Sequence, residues 1–466
     1  MPVFRRRNNE EADRKAAETM EKKYTWVDVF KIALPIFVEQ ILRSLMGTVN
    51  TFMLSRVSDS ASAAVGVASQ VLNVVIIASF MMSSGTAIIE NQLLGAGKNR
   101  EAGKVMMNTY SVTAALGIVV SIFTVTFAEK LIGFMGLSPE LTPDGTAYLK
   151  ILGSTCLFQF ISSMTSTHFR CHGSSTIPMI IVILTNIINL AGSWLVVTGK
   201  APVEGVRGIA YVRMIAETVG LIVILIMFAR QKWDQETKDL TDIDWKTVYE
   251  IFKTGVMCSM EGICYMLAQM VTTKFVTQFS TEVLSAKIYT QTINNYPYIA
   301  GICIGQAAQI ISGHYIGARK LEEAHTFIRK AFFAVLTFNL VGGITCRLFC
   351  DQLMGIFTQS EEIKAIARPL FTIDIITCIA RSMNHSYVFG LRGAGYVFWP
   401  MVIAAAGIWI LDVGLGYLCI TALGMGVVGL WVGQAADEWF RGLLGMWAWE
   451  KKKWYKTLPD IDSIKE

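Results

Sequence analysis

Charge is scarce in this chain of 466 residues: Asp, Glu, Lys and Arg make up 17% of it, while 53% is hydrophobic. A soluble chain carries about 25% charged residues. Such an excess of apolar residues leaves a soluble domain with more core than surface to cover it, so a soluble fold is excluded. Short segments of alternating hydrophobicity, which a transmembrane β-barrel requires, are also missing. There is no Walker A loop, HExxH, GxSxG or dinucleotide fingerprint, so ATP-driven transport and membrane hydrolysis lose support. No cleavable signal peptide is visible. The first 25 residues are polar and charged, with Arg5-Arg6-Arg7 before a Glu/Lys-rich run, and read as a short surface helix or a cytosolic tail. A net charge of +5 is ordinary for basic cytosolic loops and does not argue for nucleic acid. The nine cysteines lie mostly in apolar segments, where Cys acts as a small hydrophobe. Cys346 and Cys350 are one helical turn apart, a geometry that suits a disulfide poorly.

What is present is a series of apolar runs of about 20 residues or more, long enough to cross the hydrocarbon as helix. They predict an all-α polytopic membrane protein with twelve spans: 30–54, 63–87, 104–127, 146–167, 176–198, 207–228, 250–275, 285–312, 325–347, 367–389, 398–420 and 427–448. Basic residues collect on one side: the 95–104 loop, Arg170, Arg230, Lys232, Lys238, Lys246, Arg319-Lys320, Arg392 and Lys451-Lys452-Lys453. That side is expected to be cytosolic, in a cytoplasmic (inner) membrane, with both termini inside. An even number of spans follows, in agreement with twelve.

The chain also repeats itself. Arg170, Gly173, Pro178 and Met179 recur as Arg392, Gly395, Pro400 and Met401. Glu39 returns as Glu261, Asn73 as Asn295, and Gly95-Ala96 as Gly317-Ala318, all in one frame. Two copies of a six-span unit are therefore expected: a tail at 1–25, an N-lobe at 26–228, a polar linker at 229–246, a C-lobe at 247–448 and a tail at 449–466. Six spans per copy place both copies the same way up, a parallel repeat with a substrate cavity expected between the lobes.

At this point the residues resemble the multidrug and toxic compound extrusion (MATE) transporters. The resemblance rests on six plus six spans, Pro35 early in the first, Gln92-Leu93-Leu94-Gly95-Ala96-Gly97 after the second, His314-Tyr315-Ile316-Gly317-Ala318 after the eighth, and the Arg-x-x-Gly-x4-Pro-Met motif in both copies. It covers roughly residues 25–450. It implies two six-helix bundles facing each other in a V and export of organic compounds driven by a Na⁺ or H⁺ gradient. The chain departs from that pattern in three places. Asn50 stands in Val49-Asn50-Thr51 where the family usually has Asp, Arg381 stands where some members carry an acid, and Tyr396 follows the final glycine motif where many have Asp. An amide cannot bind and release a proton near neutral pH, although its carbonyl can still be a weak cation ligand.

Ionisable groups at mid-helix cost about 2.5–3.5 kcal/mol on insertion scales, so they pair, face cavities or carry function. The candidates are Glu39, Arg43, Glu261, Lys274, Asp374, Arg381 and Asp412. Glu39 and Arg43, four apart on one face, read as an intrahelical salt bridge or as a gated pair that a cation or substrate opens. Glu261 faces Tyr265 at the position equivalent to Arg43. It reads as a proton or Na⁺ site, or as a structural contact to backbone or Lys253. Arg381, with Gln159 as its counterpart, reads as bridged to Asp412 or as an anion-recognition group; Asp374 is expected nearer the outer interface. Asn186 and Asn189, with Ser193, lie where the resemblance implies a cation or proton site; interhelical hydrogen bonding is the other reading. Asn294-Asn295-Tyr296-Pro297-Tyr298 reads as a helix broken or kinked at proline, with Asn295 and Tyr296 toward a cavity. His168 and His172 flank Cys171 in a predicted cytosolic loop without further ligands, so no metal site is expected. Methionines, of which there are 22, with Tyr289, Trp399 and Phe158 would suit an adaptable apolar pocket.

Coupling is thus expected at Glu261, Glu39, Asn50, Asn186 and Asn189. The substrate cavity is expected at Arg43, Tyr265, Gln159, Arg381, Asp412, Asn295 and Tyr296. The expected function is a monomeric secondary antiporter in contact with membrane lipid, exporting small organic molecules without a cofactor other than the coupling Na⁺ or H⁺. Two alternatives stay open: a lipid-linked oligosaccharide flippase of the wider superfamily, and a sensor or scaffold that has lost its transport cycle, an idea Asn50 motivates.

Overall fold

A computed structural model describes residues 23–57, 59–135, 137, 139–231, 244–276 and 278–457. Most of the predicted N-terminal tail and of the 229–246 linker, and half of the C-terminal tail, lie outside them. Among the described residues every regular element is helical, and helices occupy all twelve predicted spans. In chain order they are α1 (Trp26–Val57), α2 (Asp59–Gly95), α3 (Asn99–Phe134), α4 (Thr142–Gly153), α5 (Cys156–Cys171), α6 (Thr176–Val197), α7 (Gly205–Arg230), α8 (Trp245–Val276), α9 (Thr281–Gly317), α10 (Leu321–Leu348), α11 (Cys350–Gly355), α12 (Glu361–Met383), α13 (Phe389–Gly393), α14 (Phe398–Gly407), α15 (Gly416–Thr421) and α16 (Val428–Glu450). Two π-helical segments, Asn384–Val388 and Ile408–Leu415, join α12 to α13 and α14 to α15, so spans ten and eleven are each one rod.

Local chemistry sets the ends. Thr25 and Asp28 cap α1 by hydrogen bonds of 2.9 and 2.8 Å to the Asp28 carboxylate. The repeated Arg-x-x-Gly motif is a helix terminus. Gly173 and Gly395 adopt φ of 76° and 77°, and the residue after each returns its N–H to a carbonyl one turn back, Ser174 to Phe169 at 2.8 Å and Tyr396 to Leu391 at 2.9 Å. Each motif arginine therefore sits on the last turn of a span, and each motif proline in the first turn of the next. The sequence predicted a break or kink at Pro297; the helix continues through it, as α1 does through Pro35, which excludes the break.

Packing is that of a protein in lipid. Large apolar side chains such as Ile118, Val119, Ile122 and Phe123 on α3 and Ile187 and Trp194 on α6 point outward, while Ala64, Ala68, Ala128 and Ala210 are fully buried. Among the described residues, six helical stretches are long and apolar enough to cross a membrane: Ala64–Gly95, Asn99–Phe134, Thr176–Val197, Gly205–Arg230, Leu321–Leu348 and Phe398–Thr421. Each of the other six spans carries an ionisable group that the structure buries or half buries: Glu39, His168, Glu261, Lys287, Asp374 and Asp437. None of the nine cysteines forms a disulfide.

The chain divides into two compact units. One, the N-unit, takes Leu34–Glu90 and Asn99–Gly255. The other, the C-unit, takes the described parts of Met1–Ala33, Asn91–Lys98 and Val256–Glu466. The start of α1 belongs to the C-unit because Tyr24 is held there. Its N–H donates to the Tyr315 hydroxyl at 2.8 Å, and its own hydroxyl lies 2.5 Å from His314 Nδ1. Within the C-unit, Gly95 lies against the His314 backbone and Gly317 against that of Gln92, two contacts related by the repeat in which any side chain would collide.

Candidate functional site: a buried charge cluster in each unit

In the N-unit, Glu39 is 2% exposed on α1. Arg43, one turn on, reaches Oε1 at 3.1 Å, and Arg170 from the last turn of α5 reaches Oε2 at 2.6 Å. Both carboxylate oxygens are thus taken by guanidinium groups. Half the Arg43 side chain (51%) stays exposed, against 23% for Arg170. The amides act as interhelical links: Asn186 donates to the Leu42 carbonyl at 3.1 Å and Asn189 to Asn50 Oδ1 at 2.9 Å, tying α6 to α1. Gln159 is half buried on α5. At the break between α4 and α5, Thr155 donates to Glu217 at 2.9 Å, and Arg213 bridges Glu217 at 3.0 Å and Tyr148 at 3.3 Å.

The C-unit repeats the first of these pairs and enlarges it. Arg392 bonds Glu261, as Arg170 bonds Glu39, with an identical separation of 131 residues along the chain. Arg441 from α16 takes the other Glu261 oxygen at 2.7 Å. Neither Lys253 nor backbone is the partner that the sequence suggested; the motif arginine and the last helix provide it. Arg441 also grips Asp437 at 2.7 Å and Glu438 at 3.3 Å, which share its helix face. Glu438 passes the network to Arg381 at 3.6 Å, and Arg381 to Asp374 at 3.4 Å. Asn384 on the first π segment donates to Glu438 at 2.5 Å, and Trp431 and Asn294 hold Asp374. The Arg381 guanidinium lies 5.6 Å from the Tyr298 ring centroid.

Several expectations change here. Arg381 is bridged to Asp374 and Glu438, not to Asp412. Asp374 is 3% exposed and closes the far end of the cluster, since two full turns place it on the same face as Arg381. Asp412 lies on the second π segment, where the extra residue per turn shifts its face; it sits in the field of Arg441, Glu438, Lys287 and Arg381. Asn294 and Tyr298 face the cluster, whereas Asn295 and Tyr296 are exposed, as is Tyr265 at 40%. Close backbone approach builds the cluster: a Cβ on Gly407 would strike Asp437 Oδ1, and one on Gly433 would crowd the Asp412 carbonyl. A small cleft opens against Glu261 and Arg441, walled by Asn384, Tyr396, Trp399 and Pro400.

Sequence reasoning missed Asp437, Glu438, Arg441, Arg213, Glu217 and Glu90, and it left Arg170 and Arg392 as loop charges. The signal was available. Glu39/Glu261 and Arg170/Arg392 repeat at one offset, and a scan of span twelve for charges finds an acid–acid–arginine pattern at helical spacing.

Comparison with known proteins agrees with this architecture. The MatE family profile matches residues 35–195 and 258–418, once in each repeat. The chain is 32% identical over 429 residues to the "Uncharacterized transporter YisQ" of Bacillus subtilis (strain 168), covering 91% of this chain and 94% of that one. It is 26% identical over 437 residues to the "Probable multidrug resistance protein NorM" of Thermotoga maritima, covering 92% and 93%. A solved structure described as the outward-facing conformation of a multidrug resistance MATE family transporter of the MOP superfamily superposes with a TM-score of 0.85 at 16% identity, over 92% of this chain and 96% of that one. The chain therefore belongs to the MatE family, whose members are membrane transporters rather than enzymes.

Proposed function

We propose that this transporter is a secondary antiporter that exports small organic molecules from the cytosol in exchange for H⁺ or Na⁺, with coupling seated in the C-unit cluster. The observation that carries the reading is an imbalance of charge. Glu261, Asp374, Asp437 and Glu438 are bridged to Arg381, Arg392 and Arg441, while Asp412 and Lys287, which donates to Thr273 at 2.7 Å, lie within reach of that field: five carboxylates against four cations, on membrane-crossing helices. Among the described residues, Asp412 Oδ2 is buried with no hydrogen-bond partner. Such an oxygen in low dielectric calls for a proton or a small cation. One H⁺ or Na⁺ neutralises the cluster, and its loss frees a carboxylate to draw Arg441 or Arg381 away from its present partners. That exchange biases the arrangement of α12, α14 and α16, as alternating access requires. The amides Asn50, Asn186 and Asn189 help hold the N-unit.

The test is uptake of a fluorescent organic cation, and in parallel an organic anion, into vesicles holding the full chain under an imposed pH gradient and then an imposed Na⁺ gradient. Glu261→Gln and Asp412→Asn should abolish gradient-driven uptake while the protein still inserts. Uptake that ignores both gradients, or survives both variants, refutes the coupled antiporter.

A further inference from the structure

A second cluster, in the N-unit, takes no part in that reading. Glu90 on α2 is fully buried. One of its oxygens meets His168 Nδ1 from α5, and His172 Nδ1, one turn further, lies 3.7 Å from the same oxygen. Ring centroids of the two histidines are 4.3 Å apart, and the three side chains bring one ligand atom each within 4.8 Å of the others. The remaining Glu90 oxygen, Oε2, is buried without a hydrogen-bond partner among the described residues. The predicted cytosolic loop without further ligands is thus a helix end facing a buried carboxylate on α2.

The internal repeat shows that the fold does not require these groups. The positions equivalent to Glu90, His168, Cys171 and His172 are Ser312, Gly390, Gly393 and Ala394. There the same two helices close by small residues: a Cβ on Gly393 would strike Ser312 Oγ, and one on Gly390 would press on Ile328. Where one copy packs glycine on serine, the other holds a carboxylate and two imidazoles. Burying that set for packing alone is costly; as donors to a cation it is coherent.

We propose that Glu90, His168 and His172 form a binding site for a first-row divalent cation of the zinc class. Two imidazoles and one carboxylate are a donor set for Zn²⁺ or Co²⁺ and a poor one for Mg²⁺ or Ca²⁺, which take oxygen ligands. The ion takes the orphaned Oε2 and replaces two hydrogen bonds, that between Glu90 and His168 and that from His172 Nδ1 to the His168 carbonyl. It would fasten α2 to the end of α5 two residues before Arg170, so occupancy bears on the Arg170–Glu39 pair. The inference stands whether or not the C-unit cluster couples an ion.

The test uses the full chain in detergent with affinity tags removed. Equilibrium dialysis against Zn²⁺, with metal counted by mass spectrometry, should give one ion per chain. Co²⁺ should give the visible ligand-field bands of a four- or five-coordinate site, and Zn²⁺ but not Mg²⁺ should raise Tm. Glu90→Gln and His172→Ala should each weaken binding by at least about 100-fold, beyond the range seen for removal of an outer-shell partner, while His325→Ala leaves it unchanged. His172 keeps 21% of its side chain exposed, so its variant keeps the test open if Glu90→Gln fails to fold. Failure to retain a stoichiometric ion, or binding indifferent to Glu90→Gln and His172→Ala, overturns the site.

Discussion

The two repeats solve one problem differently. Glu39 and Glu261 hold equivalent positions on α1 and α8, and each is met by the motif arginine of its own copy, Arg170 or Arg392. In the N-unit the second guanidinium is Arg43, local and half in the open, and the cluster ends there. In the C-unit it is Arg441, from the last helix, and behind it stand Asp437, Glu438, Arg381 and Asp374. Only the C-unit, among the described residues, has π segments, and they carry Asn384 and Asp412. One copy keeps a closed ion pair; the other builds an extended network with an acid in surplus. The two copies have thus diverged, one around a compact ion pair and the other around an extended network of buried charges.

The sharpest way to break this contrast is at the two second arginines. Removing Arg441 takes the guanidinium from Asp437 and from one Glu261 oxygen in a buried site, and leaves Glu438 with only Arg381 and Asn384. A broken buried pair costs about 3–5 kcal/mol, so Arg441→Ala should insert poorly and melt far below the parent. Arg43→Ala removes a pair whose arginine is half exposed, and exposed pairs are worth about 0.2–1 kcal/mol; Tm should scarcely move. Thermal denaturation of the two variants side by side checks both. Equal losses would mean that the copies are energetically alike.

Next in size are the motif arginines. Arg170→Ala leaves Glu39 with Arg43, and Arg392→Ala leaves Glu261 with Arg441, so both should fold. Under the proposed coupling, vesicle uptake should drop at least about tenfold for Arg392→Ala, equivalent to about 1.4 kcal/mol of barrier, and less for Arg170→Ala. A larger loss at Arg170 would move the working centre to the N-unit.

How much of this was legible without coordinates differs between the two copies. The frame of the repeat, the twelve spans and Glu39–Arg43 follow from spacing alone, because helical periodicity is local. Arg381–Asp412 did not, because which faces meet depends on the rotation of two helices, and a π segment turns Asp412 away from the face that 3.6 residues per turn would give it. Asn294 and Tyr298, which face the cluster, were not told apart from their neighbours Asn295 and Tyr296 for a like reason: only helix rotation separates them. The Glu90–His168 contact joins residues 78 apart, and nothing local announces it. Arg170 and Arg392 were visible as repeated residues, but a glycine motif after a span reads as a loop, whereas the arginine sits on the last helical turn.

A smaller change would sharpen the contrast from the N-unit side. Asn50 accepts from Asn189, and an acid there would take the same hydrogen bond while adding a charge. Asn50→Asp should add a titratable acid beside Asn189, on the face where α1 meets α6, so uptake under a pH gradient should acquire a second protonation step. An unchanged pH–rate profile would show that coupling is confined to the C-unit.

The smallest expected effect concerns the loops after α2 and α9. Gly97 and Arg319 are equivalent, and both take the left-handed conformation, with φ of 72° and 57°. Both close the same turn: Lys98 returns to Leu93 at 2.9 Å and Lys320 to Tyr315 at 2.9 Å. Glycine adopts that conformation freely, whereas a residue with a Cβ is strained there by roughly 1–2 kcal/mol. Glycine also loses more entropy on folding, which offsets part of the gain. Arg319→Gly should therefore raise Tm by only about 1–2 °C, less than the shift of about 2–4 °C per kcal/mol seen in smaller domains. Gly97→Arg should lower it by at least as much. If Arg319→Gly destabilises instead, the Arg319 side chain contributes more to that loop than its backbone strain takes away.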